Sequence, residues 1–207
     1  MTGIRERKKT RTRHALHQAA LRLFAEQGYL ATTIAEIAAA ADVSPRTFFT
    51  YFDTKEALLF EHLEPLFVRL EQRLATRPTG GTALQETRAW LVDDLLAAPI
   101  DEDADRLLDQ LSEEIPAVAA HGTAVMARIE IILAAALATD LGSSAQDPTP
   151  HMVASAAVAA LYRSAMTGDH FHPDTRNPEH TIAHFDRALR FIEHGLDGLR
   201  RDDDTPR

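Results

Sequence analysis

The residues best placed by type and spacing to do chemistry lie in the run Ser44-Pro45-Arg46-Thr47-Phe48-Phe49-Thr50-Tyr51-Phe52, with Lys55 just after it. Ser44 suits a helix N-cap, and Pro45 suits the first helical position, where a missing N–H costs nothing. At 100° per residue from Arg46, Thr50 falls at about 40° and Thr47 at about 100°, while Phe48 and Phe52 fall at about 200° and 240°. The two phenylalanines therefore read as core anchors, and Arg46, Thr47 and Thr50 as an outward face. Phe49 and Tyr51 flank that face, where a ring can pack on a sugar-phosphate edge. A guanidinium can take the two acceptors of a guanine, and threonine methyls can touch the thymine methyl. Such a helix enters the major groove with its N-terminal residues foremost, so Pro45, Arg46 and Thr47 are expected nearest the bases. Thr33 and Lys55, at the starts of the neighbouring helices, are expected to grip phosphate. The candidate DNA-contacting set is Thr33, Ser44, Pro45, Arg46, Thr47, Phe49, Thr50, Tyr51 and Lys55. Thr33, Ser44 and Asp53 serve as caps in either reading.

Other chemistry is thinner. His180 and His184 are four apart, so their imidazoles share a helix face, with His170, His172, Asp169 and Asp174 close in sequence. Such a pair could bind zinc or nickel given a third ligand. The competing reading is solvated surface histidines, and neither a metal nor a cofactor is expected. The chain has no cysteine, which removes disulfides and thiolate sites. Asp109, Glu113 and Glu114 read as a wet helix face rather than an acid/base pair. Gly80-Gly81 lacks the strand, Lys and Ser/Thr context of a phosphate-binding loop. An enzyme is not expected.

The elements that must position these groups are helices. Residues 10–28 carry Leu16, Ala19, Ala20, Leu23 and Phe24 at helical spacing, closed by Gly28. Thr33 and Glu36 have the spacing of a capping box for a short helix with Ile34, Ile37, Ala38 and Ala41 on one face. Asp42-Val43-Ser44 is the turn into the next. Asp53 or Thr54 is expected to cap a fourth helix to about Leu74, bent at Pro65. After the Pro78–Gly81 loop, helices are expected at about 82–97, 102–114, 116–140, 150–167 and 178–200, with a frayed charged tail over 201–207. Two short helices joined by a three-residue turn on a longer first helix make a helix-turn-helix.

Composition agrees: Ala and Leu supply 59 of 207 residues, against 17 Val and Ile, and the hydrophobic fraction of 45% is that of a folded chain. No stretch reaches the roughly 18 apolar residues of a membrane span, and the basic N-terminus is followed by no secretory core, so a cytoplasmic protein is expected. Charge is unevenly placed. Residues 1–55 hold nine Lys/Arg against five Asp/Glu, a net +4, whereas the remainder is −13. That asymmetry fits a basic segment facing a polyanion, with residues 5–13 as an arm; a solvated tail is the bland alternative.

The run Gly28-Tyr29, Thr32-Thr33-Ile34, Ile37-Ala38, Ala41-Asp42-Val43-Ser44, Thr47-Phe48-Phe49-Thr50-Tyr51-Phe52, Lys55-Glu56 and Leu58 resembles the N-terminal domain of TetR-type transcriptional repressors, over about residues 10–60. The resemblance implies an all-α chain of about nine helices: residues 1–55 as the DNA-binding domain, and 56–200 as a helical ligand-binding and dimerising bundle. It also implies that ligand shifts the spacing of two DNA-reading heads and releases a palindromic operator. Three positions depart from the family pattern. Phe49 stands where a phosphate-binding Tyr is usual. Asp42 replaces a turn Gly. Ala35 stands where many relatives carry a polar or basic residue. Ser-Pro-Arg-Thr-Phe-Phe-x-Tyr-Phe is similar to an actinobacterial branch that includes mycofactocin-associated regulators, whose members are thought to sense acyl-CoA-like ligands. If Phe49 instead turns into the core, the recognition helix is differently oriented.

In the C-terminal part, Phe67, Trp90, Leu107, Leu111, Met126, Ile129, Leu133, Tyr162 and Met166 are candidate pocket lining, with Trp90 foremost because a buried indole N–H seeks a polar partner. Arg128 and Arg163 could neutralise a ligand anion or form surface ion pairs. Expected partners are a double-stranded DNA operator, a small apolar or acyl-type inducer and a second copy of the chain. The copies are expected to join through the helices near 150–167 and 178–200, by way of Ala154, Ala156, Ala157, Ala159 and Ala160 and the stripe Phe185, Leu189, Ile192 and Leu196. The alternative from another class is a helical ligand-binding or scaffold protein that binds no specific DNA.

Overall fold

The computed structural model describes residues 2–98, 102–166 and 178–203. Among them there are nine α-helices and no strand. The chain divides into two compact units, Met1–Glu64 with Gln110–His121, and Pro65–Asp109 with Gly122–Arg207.

The first unit opens with α1 (Thr2–Gln27), then α2 (Ile34–Ala40) and α3 (Pro45–Tyr51). Helix α1 begins eight residues earlier than its apolar periodicity indicates. Residues 5–13 are thus its first turns and not a separate arm: Arg, Lys and Glu are good helix formers, and no proline intervenes. Gly28, at φ +85°, closes α1 with its N–H donating to the Phe24 carbonyl at 3.0 Å. The turn between α2 and α3 needs a left-handed residue as well. Asp42 supplies it at φ +56°, a conformation Asp visits more readily than most residues. Leu16, Phe24, Ile37, Phe48 and Leu58 are buried and form the core of this unit.

The long fourth helix expected from residue 53 or 54 does not start there. Glu56–Leu58 and Glu61–Leu63 are single 3-10 turns, and the regular helix α4 runs Glu64–Ala75. Pro65 is consequently no bend: it sits in the first turn of α4, where its missing N–H leaves no bond unmade.

The second unit holds most of α4, then α5 (Ala83–Trp90), which passes into a wider π turn over Leu91–Leu95. Helices α6 (Glu102–Glu114) and α7 (Pro116–Leu141) follow, of which Gln110–His121 belongs to the first unit, then α8 (Thr149–Met166) and α9 (Pro178–Asp203). Helices α8 and α9 pack together. Ala154 and Ala157 on α8 and Phe185 and Leu189 on α9 are buried. Of the stripe Phe185, Leu189, Ile192 and Leu196, expected to face a second copy, Phe185, Leu189 and Leu196 are thus buried within the chain, while Ile192 is half-buried on the rim of an open groove. What α9 leaves exposed lies about 120° around the helix: Phe191, 83% exposed, beside Arg187 and Ala188. Together with Ala156, Ala160 and Arg163 of α8 they line an open groove of about 600 Å³. No helix among the described residues is long and apolar enough to cross a membrane.

Candidate nucleic-acid interface

Local hydrogen bonding sets the two short helices. The Thr33 hydroxyl accepts from the Glu36 N–H at 3.2 Å, and the Glu36 carboxylate accepts from the Thr33 N–H at 2.8 Å, completing the capping box. The Thr33 hydroxyl also donates to that carboxylate at 2.7 Å. These bonds hold the Glu36 carboxyl below its ordinary value. Thr33 thus opens α2 with a carboxylate beside it. Ser44 caps α3, accepting from the Thr47 N–H at 3.1 Å. Each such cap contributes about 1 kcal/mol.

Phe48 and Phe52 are buried, with ring centroids 5.8 Å apart, and this pair fixes which way α3 faces. Pro45, Arg46, Phe49 and Thr50 are exposed. The Arg46 guanidinium has no ion-pair partner among the described residues. Phe49 is 55% exposed and meets the edge of Phe48 at 5.4 Å, so it does not turn into the core. Thr47 is half-buried, its hydroxyl 2.8 Å from Ser44 Oγ. The exposed face is therefore centred on Arg46, Phe49 and Thr50. The expected outward face is Arg46, Thr47 and Thr50 with Phe49 and Tyr51 on its flanks; Phe49 is the more exposed of the two flanking residues.

Tyr51 is half-buried at the end of α3. Its carbonyl accepts from Arg13 Nη1 at 3.4 Å. The same guanidinium forms a two-pronged ion pair with Glu61 and lies 4.9 Å from the centre of the Phe52 ring. The Glu61 hydrogen bond raises the Arg13 pKa above its ordinary value. Arg13 is thereby a strut from α1 to the end of α3, and not part of a free basic arm. His17, one turn further along, is buried with Nδ1 at 2.7 Å from the Leu58 carbonyl. A carbonyl only accepts, so Nδ1 carries the proton. Arg7, Lys8, Lys9 and Arg11 remain exposed along the start of α1.

Lys55 is engaged more closely than its position in the sequence indicates. Its ammonium donates to the Tyr29 carbonyl at 2.7 Å and the Thr32 carbonyl at 2.9 Å, and lies 4.1 Å from the centre of the Tyr29 ring. Tyr29 in turn donates its hydroxyl to Glu56 at 2.6 Å. Burial first, then that bond, raises the tyrosine pKa; burial lowers the Lys55 pKa. No local signal announces this cluster, because its members lie 26 and 23 residues apart.

Six of the nine candidate pocket residues lie inside the second unit. Phe67, Trp90, Ile129 and Leu133 are buried in the second unit, and Leu107 and Met126 are half-buried there. Leu111 belongs to the first unit. Tyr162 is 46% exposed on the outer side of α8, because the opposite face of that helix packs on α9. The Met166 side chain lies outside the described residues. Trp90 Nε1 donates to the Leu66 carbonyl at 2.8 Å, so its indole N–H is satisfied by backbone. Arg128 reaches Glu71 at 3.5 Å and lies over the Phe67 ring. His180 and His184 have ring centroids 4.0 Å apart at the start of α9. No group of three His, Cys, Asp or Glu able to hold a metal is found among the described residues. His170, His172, Asp169 and Asp174 lie outside them.

Comparison with known proteins agrees with this architecture. The family described as "Bacterial regulatory proteins, tetR family" matches residues 16–62, and the "MftR C-terminal domain" matches residues 81–197. The HTH-type transcriptional regulator TcmR of Streptomyces glaucescens is 42% identical over 83 residues, 40% of this chain and 37% of that protein. The chain thus spans little more than a third of this curated relative. Among solved structures, Thermus thermophilus FadR, a TetR-family repressor in complex with lauroyl-CoA, superposes with a TM-score of 0.52 at 23% identity, covering 89% of this chain and 94% of that one. SmeT, repressor of the Stenotrophomonas maltophilia multidrug efflux pump SmeDEF, gives 0.56 at 20% identity, covering 86% and 88%. At such identities the structural likeness speaks for the fold. With the helix-turn-helix matched at one end and the larger helical part at the other, the chain belongs to the TetR family of bacterial regulatory proteins, in the group with an MftR C-terminal domain.

Proposed function

We propose that the protein is a ligand-responsive transcriptional regulator, not an enzyme, that binds a palindromic operator as a homodimer in the cytoplasm and is released by a small apolar or acyl-type ligand. Residues 1–55 are the DNA-reading part and 56–200 the ligand-binding and dimerising part. The observation that carries this reading is the exposed Arg46, Phe49 and Thr50 face of α3, held outward by buried Phe48 and Phe52. It lies in the stretch matched by the tetR family.

The acyl-type ligand is supported by the MftR C-terminal match and by the lauroyl-CoA held in a protein of the same fold. Homodimerisation is supported by the exposed Phe191 and Tyr162 on the outer faces of α8 and α9. The test is fluorescence anisotropy with duplex fragments from upstream of the protein's own gene. A specific complex is expected, weakened by added lauroyl-CoA. Arg46→Ala should cost about 1–3 kcal/mol per half-site on the preferred duplex and little on random DNA. Equal, salt-sensitive binding to every duplex, unaffected by Arg46→Ala, would favour the scaffold reading.

A further inference from the structure

The exposed face of α3 is unusually apolar for a surface beside an arginine. Phe49 presents more than half of its ring, at 55% exposure, with the rest held edge-on by Phe48. The hydroxyls that would normally make such a face polar are engaged locally. Thr50 Oγ1 donates to the Arg46 carbonyl at 3.2 Å, and Thr47 Oγ1 sits 2.8 Å from Ser44 Oγ. With its hydroxyl hydrogen given to the Arg46 carbonyl, Thr50 offers a partner its methyl group and an acceptor oxygen. Pro45, also exposed, carries no N–H to donate. This face thus sets one guanidinium beside the apolar groups of Pro45, Phe49 and the Thr50 methyl.

The net charge of +4 over residues 1–55 makes a polyanion the fitting partner. On double-stranded DNA, the apolar group displayed in the major groove is the thymine 5-methyl. We propose that Phe49 and the Thr50 methyl read thymine 5-methyl groups next to the base taken by Arg46, so that operator choice depends on methyl contact as much as on hydrogen bonding. This rests on the DNA-binding reading above, and makes Phe49 a specificity-determining residue rather than a lost phosphate contact.

The experiment selects duplexes from a random library, unmethylated at cytosine, with the full-length protein. Each thymine of the enriched sequence is then replaced by deoxyuridine, which removes the methyl and nothing else. Replacement of at least one thymine in each half-site should weaken binding about fourfold per half-site, the factor for uncovering one methyl-sized group. In Phe49→Ala that penalty should disappear. Thr50→Val, which keeps the methyls and removes the hydroxyl, should retain thymine preference; Thr50→Ser, which keeps only the hydroxyl, should lose part of it. Because Phe49 is exposed, Phe49→Ala should melt with the parent, and the melting curve is recorded alongside. Indifference to deoxyuridine at every position, or an undiminished penalty in Phe49→Ala, would overturn the proposal. Failure to bind any duplex would overturn the regulator reading itself, and this inference with it.

Discussion

Lys55 and Thr32 are joined by a hydrogen bond of 2.9 Å from the Lys55 ammonium to the Thr32 carbonyl, 23 residues back in the chain. Thr32 itself is buried and donates its hydroxyl to the Gly28 carbonyl at 2.8 Å, so the ammonium closes the connection between α1 and α2 from outside. A lysine with two of its three donors so engaged holds the entrance of α2 in place.

The consequence is measurable. Lys55→Met should lower stability by about 1–3 kcal/mol, the range for hydrogen bonds to a charged group. It should weaken DNA binding through displacement of α2, with little change in the slope of log affinity against log salt. A flattening by about two units per dimer would instead show that Lys55 grips phosphate, as its place in the sequence had indicated.

Arg13 offers a second handle on the same unit. It ties α1 to Glu61 and to the Tyr51 carbonyl. Arg13→Ala should cost about 1–3 kcal/mol of stability, and the double variant with Glu61→Ala should cost less than the sum of the two singles. Additive losses in urea unfolding would show that the pair is not coupled.

In the second unit, Arg88 on α5 holds Asp186 on α9 through two bonds, at 2.5 and 2.9 Å. The Arg88 hydrogen bond keeps the Asp186 carboxyl below its ordinary value of 3.8. A carboxyl depressed on folding adds stability above that ordinary value and loses it as pH falls through the folded one. Asp186→Asn should therefore lose about 0.5–1 kcal/mol at neutral pH, the modest amount expected of a pair this exposed. Its stability should also fall less steeply below pH 4, which thermal melts over a pH series would reveal.

The outer face of α9 makes the dimer testable without disturbing the core. Phe191→Glu places a charge on a side chain that is 83% exposed in the protomer. The variant is expected to sediment as a monomer at micromolar concentration and to lose affinity for a palindromic duplex. A variant that remains dimeric would place the interface elsewhere.

The sequence alone determined whatever depends on neighbours within a turn or two. Thr33 with Glu36, and Ser44 with Pro45, cap their helices through bonds three residues long, and such signals survive without tertiary context. Phe48 and Phe52 lie four apart, so their shared burial was equally legible. Tertiary structure decided the rest. The apolar stripe of Phe185 and Leu189 on α9 was legible from spacing, but only packing against α8 decided that it is buried within the chain, leaving Phe191 outside. Thr47 is half-buried with its hydroxyl against Ser44, so Phe49 rather than Thr47 stands with Arg46 and Thr50 on the exposed face. The commitment of Lys55 to the Tyr29 and Thr32 carbonyls could not be read from sequence at all. An ammonium beside a helix start looks the same whether its donors meet phosphate or backbone, and only the return of the chain after α3 brings those carbonyls within reach.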